Sequence, residues 1–267
     1  MKILFATGEA FPFIKTGGLG DVSYSLPKAL VQKEKLDVRV ILPKYSKISN
    51  ELLKDARHLG HKEIWVAHHN EYVGIEEVEL EGVIYYFVDN ERYFRRLNVY
   101  GEYDDCERFL FFSKAVVETM DITDFKPDII HCNDWQTGLI PIYLKERGIY
   151  DVKTVFSIHN LRFQGFFYNN VIEDLLEIDR ARYFQDDGIR YYDMFSFLMF
   201  FVQIFCHHNI IHIFYLAVLQ DLQILYHFFL QSILCVCVQK HKFQPFLNVP
   251  FFLILQVIVS HYTDVHV

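Results

Sequence analysis

The sequence predicts an α/β fold with a doubly wound, mostly parallel, Rossmann-like sheet. Three observations carry that expectation. Short apolar runs of strand length recur at Lys2–Thr7, Asp37–Leu42, Pro127–Cys132 and Lys153–Ile158, and runs this apolar suit strands buried on both faces. Segments with helical spacing alternate with them at Leu19–Lys33, Cys106–Met120 and Thr137–Arg147, the pattern of an α/β sheet. Polar and glycine residues follow the ends of those runs, at the edge where open α/β sheets bind ligands.

The first run ends at Gly8, and a loop leads into the helix Leu19–Lys33, which Pro27 is expected to kink or restart. Asp37–Leu42 then completes a βαβ unit, and a right-handed crossover makes that pair parallel. Glu63–His69, Tyr72–Leu80 and Val83–Asp89 read as three strands with short turns, an antiparallel elaboration on the sheet. The helix Thr137–Arg147 closes on Lys-Glu-Arg-Gly, a helix stop. Lys153–Ile158 runs straight into His159-Asn160.

Composition changes near residue 198. All formal charges except Asp221, Lys240, Lys242 and Asp264 lie in residues 1–198, and residues 199–267 contain no Gly, Glu or Arg. A soluble domain needs glycine for turns and charge for its surface. Residues 1–198 are therefore expected to form the domain, and no domain is assigned to 199–267. The net charge of −8 argues against a nucleic-acid partner, which wants a basic face. Cys106 and Cys132 read as free thiols of a reducing compartment. Cys235 and Cys237 have no second pair at ligand spacing, so no metal is expected. The chain enters its first strand without a basic-then-apolar leader, and the expected location is cytoplasmic.

The loop from Phe11 to Asp21 holds the densest chemistry. Gly17 and Gly18 let backbone N–H groups approach an anion, the following helix points its positive end there, and Lys15 adds a full charge. That set suits a diphosphate, although it is neither a Walker loop nor G-x-G-x-x-G. A plain connector with a surface lysine is the other reading. Asn133 or Asp134 suits a helix cap. Trp135 suits either the core or stacking on a sugar ring. His159 suits either donation to a sugar hydroxyl or a structural bond to backbone.

These residues also carry a resemblance. Glu9-Ala10-x-Pro12-Phe13-x-Lys15-Thr16-Gly17-Gly18-Leu19-x-Asp21-Val22 resembles the signature of bacterial glycogen synthases and plant starch synthases, which usually have Ala where this chain has Gly20. His131-Cys132-Asn133-Asp134-Trp135-Gln136-Thr137-Gly138-Leu139 is similar to the pattern H-x-H-D-W-H-T-G-L, with Asn133 and Gln136 in place of histidines. Thr154 through Leu161, with Gln164-Gly165, resembles T-x-H-N-L-x-x-Q-G, and Gly188 through Leu198 continues the agreement.

The resemblance implies the N-terminal half of a two-domain GT-B glycosyltransferase. The implied reaction moves glucose from ADP-glucose to the non-reducing end of an α-1,4-glucan, with retention and without a cofactor or required metal. It implies His159 and Asp134 as catalytic residues. Lys15, Gly17, Gly18, Asp21, Trp135 and Asn160 become substrate-binding residues, with Lys15 on the sugar-nucleotide phosphate. The family's second domain supplies an Arg–Lys pair and a Glu that cannot be assigned here, so this chain is expected to be inactive alone. The alternatives are a non-catalytic glucan-binding module and a membrane-tethered sugar-nucleotide-binding protein.

Past Leu198 the resemblance implies a stretch like A-D-x-I-T-T-V-S-x-T-Y. Read one base into each codon, Cys206-His-His-Asn-Ile-Ile-His212 gives Ala-Thr-Thr-Ile-Ser-Ser-Thr for permitted codon choices. A frameshift is the expected origin of the apolar tail. The uncharged runs Met194–Gln220 and Phe243–Thr263 leave a membrane segment as the rival reading, though they lack basic flanks.

Overall fold

A computed structural model describes residues 1–160, 162–168, 175–177, 194–196 and 213–215. Its main sheet has eight strands: β1 Lys2–Ala6, β2 Asp37–Pro43, β3 Arg57–Val66, β4 His69–Leu80, β5 Val83–Asp89, β6 Ile129–Asn133, β7 Lys153–Ile158 and β10 Ile213–Tyr215. Their spatial order is β10-β7-β6-β1-β2-β5-β4-β3. Every pair from β10 to β5 is parallel, while β5–β4 and β4–β3 are antiparallel. The sheet is thus mixed but mostly parallel, as expected. A separate pair joins β8 Phe166–Tyr168 to β9 Met194–Ser196.

Buried strands explain the apolar runs. Leu4, Phe5 and Ala6 of β1, Val40 to Leu42 of β2 and Tyr85 to Val88 of β5 are all buried, as expected where helices cover a parallel sheet. The outer hairpin differs, because β3 alternates exposed and buried positions along its second half.

Helix α1, Gly18–Gln32, links β1 to β2 and runs unbroken through Pro27, against the expected kink. Proline removes one helical hydrogen bond. Burial of Leu26, Pro27, Ala29 and Leu30 holds the segment helical all the same. The polar stretch Arg57–Lys62, which has no strand signal of its own, extends β3 by pairing with β4, with a register shift between His58 and Gly60. A short helix α2, Glu91–Phe94, was not expected; Asn90 Oδ1 caps it by accepting from Tyr93 N at 2.9 Å.

Helix α3, Asp105–Glu118, leads into β6. The helix expected over Thr137–Arg147 is split into a 3₁₀ turn, Trp135–Thr137, and α4, Ile140–Glu146. Thr137 Oγ1 donates to the carbonyls of Asn133 and Asp134, tightening the turn. Pro141 falls in the first turn of α4, where its missing N–H costs nothing. Gly148, at φ +67, ends α4 in the left-handed region as the sequence suggested.

β1 lies between β2 and β6. The chain winds outward from β1 in both directions, so the carboxyl ends of β1 and β6 flank a topological switch point. The compact unit runs from Met1 to Tyr215. It therefore includes Ile213–Tyr215, which lie beyond the composition break and form a strand beside β7. The uncharged runs Met194–Gln220 and Phe243–Thr263 lie outside the described residues apart from Met194–Ser196 and Ile213–Tyr215. Among the described residues no helix is long and apolar enough to cross a membrane.

Candidate functional site

The loop after β1 is pinned from below. Thr7 Oγ1 bonds the Glu9 carbonyl and the Ser23 hydroxyl, both at 2.9 Å. Phe13 packs against Tyr85 and Phe87, each with ring centres 4.9 Å away. Phe11 N donates to Gly20 O at 3.0 Å, closing the loop onto α1.

The amide nest at the start of α1 is already filled. The buried Glu9 carboxylate accepts from Thr16 N and Thr16 Oγ1 at 2.6 Å, from Gly20 N at 3.2 Å and from Gly17 N at 3.3 Å. The Gly17 amide thus serves an internal anion. The amides of Gly18 and Leu19 meet no acceptor among the described residues, and a Cβ on Gly18 would meet open space. Lys15 Nζ pairs with Asp21 at 2.7 Å, with both side chains about half exposed. Such a pair is worth roughly 0–1 kcal/mol, so Lys15 can leave Asp21 for a stronger anion at little cost.

Strand ends β6 and β7 form the second part. Asn133 is fully buried, and its Nδ2 donates to the carbonyls of Ala6 and His131, both at 3.1 Å. Its Oδ1 therefore faces His159 Nε2 as an acceptor at 3.0 Å. That fixes the proton on Nε2 and leaves Nδ1 with a lone pair. Burial pushes the His159 ring down to about 4. Its ring hydrogen is taken by Asn133, which leaves Nδ1 as an acceptor.

Asp134 is buried at φ +55, a conformation unusual for a residue with a side chain. Its Oδ1 accepts the His159 amide at 2.7 Å, and the Asn160 amide also bonds this carboxylate. Burial raises its carboxyl to about 7, against the two amides that pull it down. Neither Asn133 nor Asp134 caps the following turn with its side chain. Asp134 instead ties the end of β7 to the end of β6. The exposed Asn160 turns back locally, accepting from Arg162 N at 2.9 Å.

Trp135 belongs to the core. It is 8% exposed, with Phe109 edge-on at 4.8 Å, Phe167 at 5.8 Å and Tyr100 at 6.3 Å. The Gly165 backbone closes over its ring, so a Cβ there would come within 2.6 Å of Cε3. Of the two roles the sequence left open for Trp135, these contacts are those of a core side chain.

Sequence reasoning assigned no role to Glu9, Tyr100 or Gln136. Tyr100 and Gln136 lie beneath Gly8, where a Cβ would stand 2.7 Å from the Tyr100 hydroxyl and 3.1 Å from Gln136 Cγ. The neighbouring Val99 carbonyl is bound by the fully buried Arg108, which also donates to Tyr93 O and pairs with Asp105. An arginine inside the aromatic run Arg108-Phe-Leu-Phe-Phe112 was the available signal. Among the described residues no group of three or more His, Cys, Asp or Glu could hold a metal ion.

The family model for the starch synthase catalytic domain matches residues 2–211. The chain belongs to this family. The match runs past the composition break at residue 198. A glycogen synthase of Fusobacterium nucleatum is 89% identical over 198 residues, which cover 74% of this chain and 43% of that protein. A glycogen synthase of Clostridium novyi is 49% identical over 204 residues, 74% of this chain and 42% of that protein. The solved catalytic domain of Starch Synthase IV from Arabidopsis thaliana, bound to ADP and acarbose, is 29% identical at a TM-score of 0.67, covering 76% of this chain and 43% of that one. This starch synthase family member thus spans less than half the length of these relatives.

Proposed function

We propose that this chain forms the N-terminal wall of an ADP-glucose site, in an enzyme that transfers glucose to an α-1,4-glucan. The observation that carries the reading is the convergence of three features at one switch point. These are the free Gly18 and Leu19 amides on the positive end of α1, the half-exposed charge of Lys15, and the lone pair of His159 Nδ1.

Each feature has a distinct task. The two amides and the helix dipole receive a phosphate oxygen. Lys15 leaves Asp21 and adds a charge-assisted contact to the diphosphate. His159 accepts a hydrogen bond from a hydroxyl of the transferred glucose while staying neutral. Asp134 holds the His159 and Asn160 amides and thereby aims the ring; in this reading it positions and does not transfer protons. One lysine cannot neutralise a leaving diphosphate, so transfer needs further cations from a facing domain. Closure of two domains over the donor also removes water from the reacting centre.

The test is a chimera. The 198 aligned residues of this chain replace their counterparts in the Fusobacterium nucleatum glycogen synthase. Transfer of labelled glucose from ADP-glucose to glycogen is then measured beside the 267-residue chain alone. Activity in the chimera and none in the chain alone supports the reading. An inactive but folded chimera, with the chain retained on glucan, favours a non-catalytic glucan-binding module.

A further inference from the structure

We propose that Glu9 is a positioning residue, an internal anion that occupies the amide nest of the Lys15–Gly20 turn and so selects which amides an incoming phosphate can use. Its carboxylate is 2% exposed and takes four donors, Thr16 N, Thr16 Oγ1, Gly17 N and Gly20 N, at 2.6 to 3.3 Å. A nest of amides at a helix start is a general anion site. Here the anion is covalently part of the chain, seven residues before Thr16, the first donor it takes.

Two consequences follow from the geometry. The amides of Thr16, Gly17 and Gly20 are withdrawn from any ligand, which leaves Gly18 and Leu19. The turn is also held in shape before a ligand arrives, so phosphate binding carries no cost of ordering it. Gly20 belongs to the same device: a Cβ there would lie 2.9 Å from Lys15 Cγ and 3.1 Å from Lys15 Cβ, so the lysine stem rests on the bare Gly20 backbone. The consequence for the donor rests on the ADP-glucose reading above. The filled nest does not, and the experiment separates the two.

The experiment is residue-resolved amide hydrogen exchange on the 267-residue chain, with no nucleotide present. In the parent, Thr16, Gly17 and Gly20 should exchange about ten- to a hundredfold more slowly than Gly18 and Leu19, as expected of amides in charge-assisted bonds. Inorganic pyrophosphate should slow only Gly18 and Leu19. Glu9→Gln keeps the length but turns an NH₂ group toward amide donors, and it should speed exchange at the three protected amides. In Glu9→Ala the emptied nest should accept acetate, restoring protection at those three alone. A merely structural role for Glu9 would not give rescue confined to these amides. Equal exchange at Gly17 and Gly18 in the parent sinks the proposal without any variant. Unchanged exchange in Glu9→Gln also sinks it. If Glu9→Ala does not fold, the parent and Glu9→Gln measurements still decide. Failure of ADP-glucose binding beside a protected nest would count against the donor reading and leave Glu9 in place.

Discussion

His159 donates its Nε2 hydrogen to Asn133 Oδ1 across 3.0 Å. Asn133 cannot turn its amide around, because its Nδ2 already serves the carbonyls of Ala6 and His131. The imidazole is therefore neutral, with one tautomer. Burial holds it at about 4, so a ring titration by NMR should show no His159 transition between pH 5 and 8. Asn133→Asp places a negative charge beside Nε2 and should move the His159 midpoint upward by about one unit or more. A His159 midpoint near 6.5 in the parent would refute the fixed tautomer.

Lys15→Ala should separate binding from stability. Removing an exposed pair with Asp21 should change unfolding free energy by less than about 0.5 kcal/mol. In the chimera the same change should raise the KM for ADP-glucose by about ten- to a hundredfold, the loss of one charge-assisted contact. An unchanged KM would remove Lys15 from the donor site.

Asp134 gives a pH dependence whose sign can be worked out. Its folded carboxyl titrates at about 7 and its unfolded one near 3.8. Between those values the folded state keeps a proton that the unfolded state has lost, so this group lowers stability as pH rises. The half-buried His159 and the buried His131 act oppositely. They titrate at about 4 and about 3 in the folded state and near 6.5 when unfolded, so they add stability as pH rises toward 6.5. Asp134→Asn should remove only the first contribution. Its stability relative to the parent should improve from pH 4 to pH 7 by roughly 2–4 kcal/mol, measured by urea unfolding. A difference that stays flat over that range would mean the carboxylate is ionised throughout.

Much of this architecture was legible because hydrophobic periodicity reports burial. The runs at β1, β2, β6 and β7 are apolar since these strands are buried, and the motif residues follow their ends since the sheet winds both ways from β1. What escaped reading was pairing. Arg57–Lys62 becomes strand only because β4 lies alongside. Glu9 sits inside the quoted motif, yet its partners are backbone amides that no residue type announces. His159 was readable as a polar group at a strand end, but its direction of hydrogen bonding depends on Asn133, twenty-six residues away.

Trp135 offers the sharpest separation of core from site. Its ring lies among Phe109, Phe167 and Tyr100, with the Gly165 backbone as a lid. Trp135→Ala should then behave as a large-to-small core change and cost about 3–5 kcal/mol in unfolding free energy. Gly165→Ala attacks the same contact from the other side. Gly165 has φ +62, unfavourable for alanine, and the added Cβ would press on Cε3. It should cost more than about 1 kcal/mol and disturb the near-ultraviolet signal of the indole. Trp135→Phe retains an apolar ring in the cluster. In the chimera it should keep the KM for ADP-glucose within about twofold while losing roughly 1–3 kcal/mol of stability to the void it leaves. A stacking residue gives the reverse pattern, little change in stability and a large change in KM. That result would return Trp135 to the binding surface and require the lid at Gly165 to open.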